Sequence, residues 1–137
     1  MDAYVFTTRE AFEARIADDG FLEWTDFLGS YYGTPMPSPP PGLDVVLEIE
    51  VDGAQQIRRR HPEALLIFVL PPSREEQRRR LEERGDIDHK VEARLRKAED
   101  EEPVGKAISD YVVVNDSLDR TVDEMVAIIE TERARRL

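Results

Sequence analysis

The stretch Ala64-Leu65-Leu66-Ile67-Phe68-Val69-Leu70-Pro71-Pro72-Ser73-Arg74-Glu75-Glu76 gives the clearest indication of the fold. Its first seven residues are all apolar, as expected for a strand that is buried on both faces. The two prolines end that strand, and Ser73 followed by Glu76 fits a capping box, which opens a helix to about Glu83. The stretch therefore predicts a buried strand that leads directly into a helix.

Two other segments repeat this order of strand and helix. Asp44 to Ile49 is a nearly unbroken apolar run that precedes an amphipathic helix through Ala54 and Ile57. Tyr111 to Val114 is a further apolar run, and the helix after it carries an apolar stripe. The stripe consists of Leu118, Val122, Met125, Val126 and Ile129. Strands that alternate with helices predict an α/β fold with a parallel sheet and helices on its faces.

The first 43 residues predict a small β-rich subdomain. A capping box from Thr7 to Glu10 opens a helix that runs to about Asp18, and the aromatic, glycine-broken stretch 21–35 predicts short strands and turns. The proline-rich stretch 35–42 predicts a stiff, extended connector.

The whole chain is expected to form one domain of 137 residues in three parts. These are the subdomain with its connector (1–43), a core (44–83 and 103–137) and a charged helical lid (84–102).

Composition narrows the classes of function. The net charge of −11 argues against a nucleic-acid surface, which requires clustered positive charge. Zero cysteines and two isolated histidines leave little for a protein-borne metal site, so we assign no metal ligand. The apolar runs are too short to span a bilayer, and no leader precedes Asp2. We therefore expect a soluble, cytoplasmic protein.

Four short strings carry most of the functional information. They are Phe21-Leu22-Glu23-Trp24, Tyr31-Tyr32-Gly33-Thr34, Leu47-Glu48-Ile49-Glu50 and Arg84-Gly85-Asp86. Together they resemble the guanylate kinase family, and the resemblance extends from Tyr4 to the last helix. It implies a phosphotransferase of purine nucleotide metabolism that converts ATP and GMP to ADP and GDP, with a core like that of the P-loop kinases and Mg²⁺ carried in with ATP.

The resemblance assigns the GMP site to the first two strings. Glu23 corresponds to the acid that accepts from the guanine ring N–H and 2-amino group, and Thr34 to the hydroxyl that donates to the 6-oxo group. Tyr4 and Tyr32 correspond to the phenols that hydrogen-bond the GMP phosphate. Taken alone, Glu23 would read as a surface acid beside a core tryptophan.

The acids of the third string correspond to a pair near the nucleotide phosphates and magnesium. Glu48 and Glu50 lie two apart on the expected strand, so both carboxylates would face the same way at its C-terminal end. The family pattern has Asp at the second position and Gln two beyond, where this chain has Glu50 and Asp52. The alternative is that acids simply end the strand.

Three arginines correspond to the family's catalytic arginines, which close over the transferring phosphoryl group: Arg80, Arg84 and Arg94. The alternative is a solvated, salt-bridged helix, which is the interpretation we prefer for Arg78, Arg79 and Arg96.

Two elements of the family pattern do not occur in the sequence. There is no G-x-x-x-x-G-K-[ST] phosphate loop, and the arginine pair that normally lies shortly before the Tyr4 position is missing. The chain is thus expected to begin after the family's first strand and phosphate loop, which would leave an apolar edge beside Val45 to Ile49. A homodimer or an N-terminal P-loop segment would cover it.

Three interpretations of function stay open. The chain is the larger part of a guanylate kinase that is inactive without the phosphate loop, a non-catalytic module that binds GMP or a phosphoprotein, or a nonfunctional fragment.

Overall fold

A computed structural model describes residues 6–27 and 29–136 and divides the chain into two compact units, residues 1–62 and 63–137. Each unit is described by itself. Within the described residues, no helix combines the length and apolar character that crossing a membrane requires.

The described residues of the first unit form two helices and a hairpin. Helix α1 (Arg9–Ala17) is followed by antiparallel strands β1 (Phe21–Phe27) and β2 (Ser30–Pro35), and helix α2 (Val51–Arg60) comes last. The cap of α1 is Thr8, whose Oγ1 accepts from Ala11 N–H at 3.1 Å. The capping box that was expected to start at Thr7 is therefore wrong by one residue, because the adjacent Thr8 supplies the same hydroxyl.

An aromatic cluster joins α1 to the hairpin. The ring centroid of Phe12 lies 4.4 Å from that of Phe21, 5.0 Å from Tyr31 and 6.4 Å from Trp24. Aromatic side chains dominate the energetics of small cores because each one buries a large apolar area. One face of the hairpin is thus the packing face of this unit.

A register shift in β1 directs Glu23 to the other face. Phe21 pairs with Pro35 whereas Glu23 pairs with Thr34, so the pairing slips by one residue at Leu22. Without the slip, strict alternation would place Phe21 and Glu23 on the same face. The slip lets Phe21 pack against α1 while Glu23 and Thr34 share the opposite face.

Side chains of α2 occupy the edge of β1 that faces away from β2. Trp24 N–H donates to Gln56 Oε1 at 3.1 Å, and Gln56 Nε2 donates to Trp24 O at 2.5 Å. Arg60 Nη1 donates to the carbonyls of Phe21 and Leu22 at 3.1 Å. An unpaired strand edge is a template for association, and α2 covers part of this one.

The connector has the irregular structure expected of it, but the strand predicted for residues 44–49 is wrong. Residues 36–50 have no regular helix or strand, and Val46 is 84 % exposed. A strand needs a neighbour to satisfy its backbone N–H and C=O groups, and no described residues pair with this segment.

The second unit confirms the alternation of strands and helices. It contains β3 (Ile67–Leu70), α3 (Arg74–Glu83), α4 (Asp88–Ile108), β4 (Tyr111–Val114) and α5 (Leu118–Arg135). Strands β3 and β4 are parallel. Ser73 caps α3 as predicted, with its Oγ accepting from Glu76 N–H at 3.1 Å.

Strand β3 is shorter than the apolar run that predicted it. Before Ile67, Leu66 N–H donates to the Asp110 carboxylate at 2.8 Å instead of to a neighbouring strand. Leu66 O in turn accepts from Asp110 N–H at 2.9 Å. The loop before β4 therefore satisfies this backbone, and the ladder starts one residue later.

The edge contacts of α2 give a prediction for stability. Replacing Gln56 with Ala leaves the Trp24 N–H and C=O without their partners, and we expect a loss of about 1–2 kcal/mol in the free energy of unfolding. Urea unfolding monitored by tryptophan fluorescence measures this loss. The matched control is Gln55→Ala, because the Gln55 side chain bonds no other residue in the described part of the chain. Equal effects of the two substitutions would contradict the role of Gln56.

Candidate functional site

A buried carboxylate and a hydroxyl form the centre of the candidate site in the first unit. Glu23 is only 6 % exposed, and Thr34 Oγ1 donates to its Oε1 at 2.5 Å. The structure thus brings together the two residues predicted to recognise guanine. A hydroxyl can donate only one hydrogen bond, and here Thr34 donates it to Glu23.

The first turn of α2 lies directly against this carboxylate. A Cβ atom placed on Gly53 would lie 2.8 Å from Glu23 Oε2 and 3.2 Å from its Cδ. Any side chain at position 53 would therefore displace the carboxylate or the helix. A negative group near a helix N-terminus is also favoured by the partial positive charge of that end. Gly53 is a site residue that sequence reasoning missed.

Glu50 lies at the start of the same helix, three residues before Gly53. It is the N-cap residue of α2, and its carbonyl accepts from Ala54 N–H at 2.9 Å. Glu50 and Glu48 are both exposed, with half-buried Ile49 between them. The acid pair therefore precedes a helix N-terminus rather than ending a strand.

The face that carries Glu23 and Thr34 continues along the hairpin. Thr25 pairs with Tyr32 directly across the two strands, and both share the face of Glu23 and Thr34. Tyr32 is 45 % exposed. The prediction for Tyr4 lies outside the described residues.

A separate open cavity of about 510 Å³ lies at the edge of β1. Its lining includes Trp24, Asp26, Asp52 and Arg59, whereas Glu23 and Thr34 are not among the described residues that line it. The cavity is therefore distinct from the carboxylate and hydroxyl pair.

Two of the three predicted arginines meet in the second unit. Gly85, with φ of +93°, ends α3 and donates to Glu82 O at 3.0 Å, while Asp86 N–H donates to Leu81 O at 3.2 Å. Only glycine adopts this backbone conformation without strain. The turn places the Asp86 carboxylate beside the side chains of Arg84 and Arg94.

Asp86 binds both arginines. Arg84 donates to it through Nη2 at 2.7 Å and Nε at 3.4 Å, and Arg94 Nε lies 3.3 Å from Asp86 Oδ2. The hydrogen bond from Arg84 holds the pKa of the Asp86 carboxyl below its usual range. The same contact raises the pKa of the Arg84 guanidinium, so both groups stay ionised at neutral pH.

Arg80 lies in a different environment from the other two. Its Nη2 donates to Asn115 O at 3.0 Å, and its Nε lies 3.1 Å from Glu76 Oε1. Asn115 directly follows β4, so Arg80 reaches the carboxyl end of the parallel strands, where ligands bind in open α/β sheets. Hydrogen bonds from Arg79 and, to a smaller extent, Arg80 lower the pKa of Glu76 to about 2.

The interpretation of Arg78 and Arg79 as salt-bridged surface residues is confirmed. Arg78 pairs with Glu92, and Arg79 pairs with Glu76 and Glu83 on α3. Such exposed pairs contribute little to stability individually. Among the described residues, no group of three or more acidic, histidine or cysteine side chains is arranged to hold a metal ion.

The comparisons with known proteins indicate the same family as the motifs. The model of the guanylate kinase family matches residues 2–132. A curated guanylate kinase of Thermus thermophilus is 48 % identical over 138 residues, which cover 96 % of this chain and 62 % of the relative. The crystal structure of guanylate kinase from Anaplasma phagocytophilum matches with a TM-score of 0.77 at 29 % identity, covering 96 % of this chain and 67 % of that one. The chain thus spans less than two thirds of the curated relative.

The close approach of Gly53 to Glu23 predicts that Gly53→Ala changes the free energy of unfolding in opposite directions with and without the Glu23 side chain. Gly53→Ala improves helix propensity by up to about 1 kcal/mol but forces a Cβ against the carboxylate, where overpacking costs about 1–3 kcal/mol. We expect the substitution to destabilise the natural chain. In a Glu23→Ala background the obstacle is gone, and the same substitution should stabilise by up to about 1 kcal/mol. Urea unfolding of the four variants tests this, and the same sign in both backgrounds would contradict the packing.

Proposed function

Because the chain belongs to the guanylate kinase family, we propose that it supplies the GMP-binding site and the arginine-bearing lid for phosphoryl transfer from ATP to GMP, giving ADP and GDP. The observation that carries the proposal is the buried hydrogen bond between Glu23 and Thr34. The 48 % identity to a guanylate kinase supports the assignment of the reaction.

Guanine recognition follows from the chemistry of this pair. The two carboxylate oxygens of Glu23 accept from the ring N–H and the 2-amino group of guanine. Thr34 then turns its proton from Glu23 to the 6-oxo group, so that one hydrogen bond is exchanged for three. Adenine presents a ring acceptor and a 6-amino donor at the corresponding positions. It would leave the buried carboxylate and the hydroxyl badly paired, which disfavours it.

The phosphate of GMP would lie along the same face of the hairpin. Tyr32 and Tyr4 are the proposed phenol donors, and Tyr32 is supported by its exposure beside Thr34. A phenol donates a hydrogen bond without adding charge.

Phosphoryl transfer would use the arginines of the second unit. Arg80, Arg84 and Arg94 would offset charge on the transferring group, since phosphoryl transfer depends mainly on positioning and electrostatic stabilisation. Glu48 and Glu50 would face Mg²⁺ bound to ATP. Mg²⁺ commonly takes one or two carboxylates together with phosphates and waters, and Glu48 and Glu50 are both exposed residues that carry a carboxylate.

We further propose that residues 44–83 and 103–137 form the core of one domain, with the GMP subdomain at 1–43 and the lid at 84–102. Exposed Leu43, Val45 and Val46 support a covering partner at the segment that was predicted as a strand. That partner is either a second copy or an N-terminal P-loop segment. A cytoplasmic location stays a prediction.

A non-catalytic module that binds GMP or a phosphoprotein is the second candidate. The observation that favours it is the lack of a G-x-x-x-x-G-K-[ST] string in the 137 residues.

Calorimetric titration with GMP tests the guanine site, with AMP as the competing ligand. We expect selective binding of GMP, and a loss of about tenfold or more in affinity for Glu23→Gln, because the amide presents a donor to the guanine donors. Glu10→Gln, on the exposed side of α1, is the control with the same change of charge. Unchanged affinity in Glu23→Gln would remove the assigned role.

A kinase assay on the pure chain separates the binding site from turnover. We expect no GDP formation with ATP, Mg²⁺ and GMP, since no backbone cradle and lysine are present in the sequence to hold the ATP phosphates. ATP-dependent GDP formation that Arg84→Lys abolishes would overturn this expectation and exclude the non-catalytic alternative.

A further inference from the structure

Asp86 connects two arginines that come from different helices. Arg84 is the C-cap residue of α3, and Arg94 lies in the second turn of α4. The turn at Gly85 fixes the backbone of Asp86 through its N–H bond to Leu81 O. The carboxylate is thus held by the end of α3 and bonds both guanidinium groups.

The bonds to Asp86 leave the ends of the arginines available. Arg84 uses Nε and Nη2, and Arg94 uses Nε. Arg84 Nη1 and the two terminal nitrogens of Arg94 bond no other residue in the part of the chain that the structure describes. The side chain of Asp86 is 17 % exposed, against 58 % for Arg84 and 47 % for Arg94. The Asp86 side chain is therefore more buried than either arginine side chain.

The balance of charge also favours an anion on the solvent side. Two guanidinium groups close together repel each other, and the carboxylate between them offsets that repulsion. Arg84, Arg94 and Asp86 together carry a net charge of +1, and the positive charge of Lys90 also acts on Asp86. Guanidinium donors of this kind match phosphate oxygens.

We propose that Asp86 is a positioning residue that holds Arg84 and Arg94 together as one phosphate-binding unit of the lid. This inference rests on the proposed function, in which these arginines act on the transferring phosphoryl group. Asp86 does not touch the phosphate itself. It acts by fixing the direction of the two side chains, whose long rotatable chains would otherwise lose entropy on binding.

A second possible role for Asp86, competition with phosphate for the arginines, predicts a change of binding affinity in the opposite direction. A carboxylate that only competed with phosphate for the arginines would weaken anion binding, and its removal would strengthen that binding. If Asp86 positions the arginines, its removal weakens binding even though a negative charge is lost. The direction of the change therefore decides between the two roles.

The test is calorimetric titration of the whole chain with inorganic pyrophosphate at low salt. We expect Asp86→Asn to bind pyrophosphate about tenfold more weakly than the natural chain. The reason is the loss of one well-placed charge-assisted contact between an arginine and pyrophosphate. The control is Asp88→Asn, which removes the same charge two residues away, at a side chain that bonds neither arginine among the described contacts. Its affinity should stay equal or rise slightly.

A second arm uses Arg84→Lys, because lysine cannot make the two-pronged contact with Asp86. In that background Asp86→Asn should cause little further loss, which a general effect on folding would not produce. Urea unfolding of each variant shows that the titrated protein is folded. Pyrophosphate binding that is equal or tighter in Asp86→Asn overturns the inference, and so does wild-type binding that is unaffected by Arg84→Lys.

The outcome is separable from the proposed function. Glu23 and Thr34 lie in the first unit, and their assay is GMP selectivity. Selective GMP binding together with an unaffected Asp86→Asn would overturn only the role of Asp86. Loss of GMP selectivity would overturn the proposed function, while the pyrophosphate titration would still report on Asp86.

Discussion

The hydrogen bond between Thr34 and Glu23 is the interaction on which the rest of the candidate site depends. A carboxylate that is 6 % exposed needs a partner, because an unpaired buried charge is far more costly than an exposed one. Thr34 supplies that partner from the neighbouring strand. Gly53 then lets the first turn of α2 close over the carboxylate. The pair thereby lies at the contact between the hairpin and the first turn of α2.

The two faces of the hairpin carry different side chains, aromatic on one and polar on the other. The register slip at Leu22 causes this difference. Phe21 packs with Phe12, Trp24 and Tyr31 on one side, while Glu23 points to the other. Gln56 and Arg60 then attach α2 to the strand edge between the faces. The polar face therefore has a packed apolar face behind it, so the positions of Glu23 and Thr34 depend on that packing.

The sequence predicted those elements of the fold that depend on residues close together in the chain. The Ser73 cap and the strand 111–114 agree with the sequence because hydroxyl caps and apolar runs act within a few residues. The strand at 44–49 was wrong because a strand exists only through its partner. The motifs predicted Glu23 and Thr34, and the structure places these two side chains in contact. The slip at Leu22, the approach of Gly53 and the contact of Asp86 with Arg94 all depend on register and packing, so a single sequence does not reveal them.

The candidate site and the arginine cluster at residues 84–94 share one feature, a carboxylate that is paired with neighbouring donors. In the hairpin, Glu23 and Thr34 satisfy each other, and in the lid Asp86 pairs with Arg84 and Arg94. At the proposed GMP site a ligand would exchange hydrogen bonds with the pair Glu23 and Thr34, whereas an anion at the arginine cluster would add contacts to nitrogens that have no partner among the described residues. Exchange gives a small net gain per bond, whereas a wrong ligand leaves buried groups unpaired at full cost. Selectivity is thus expected from the buried pair, and affinity for phosphate from the exposed ends of the arginines.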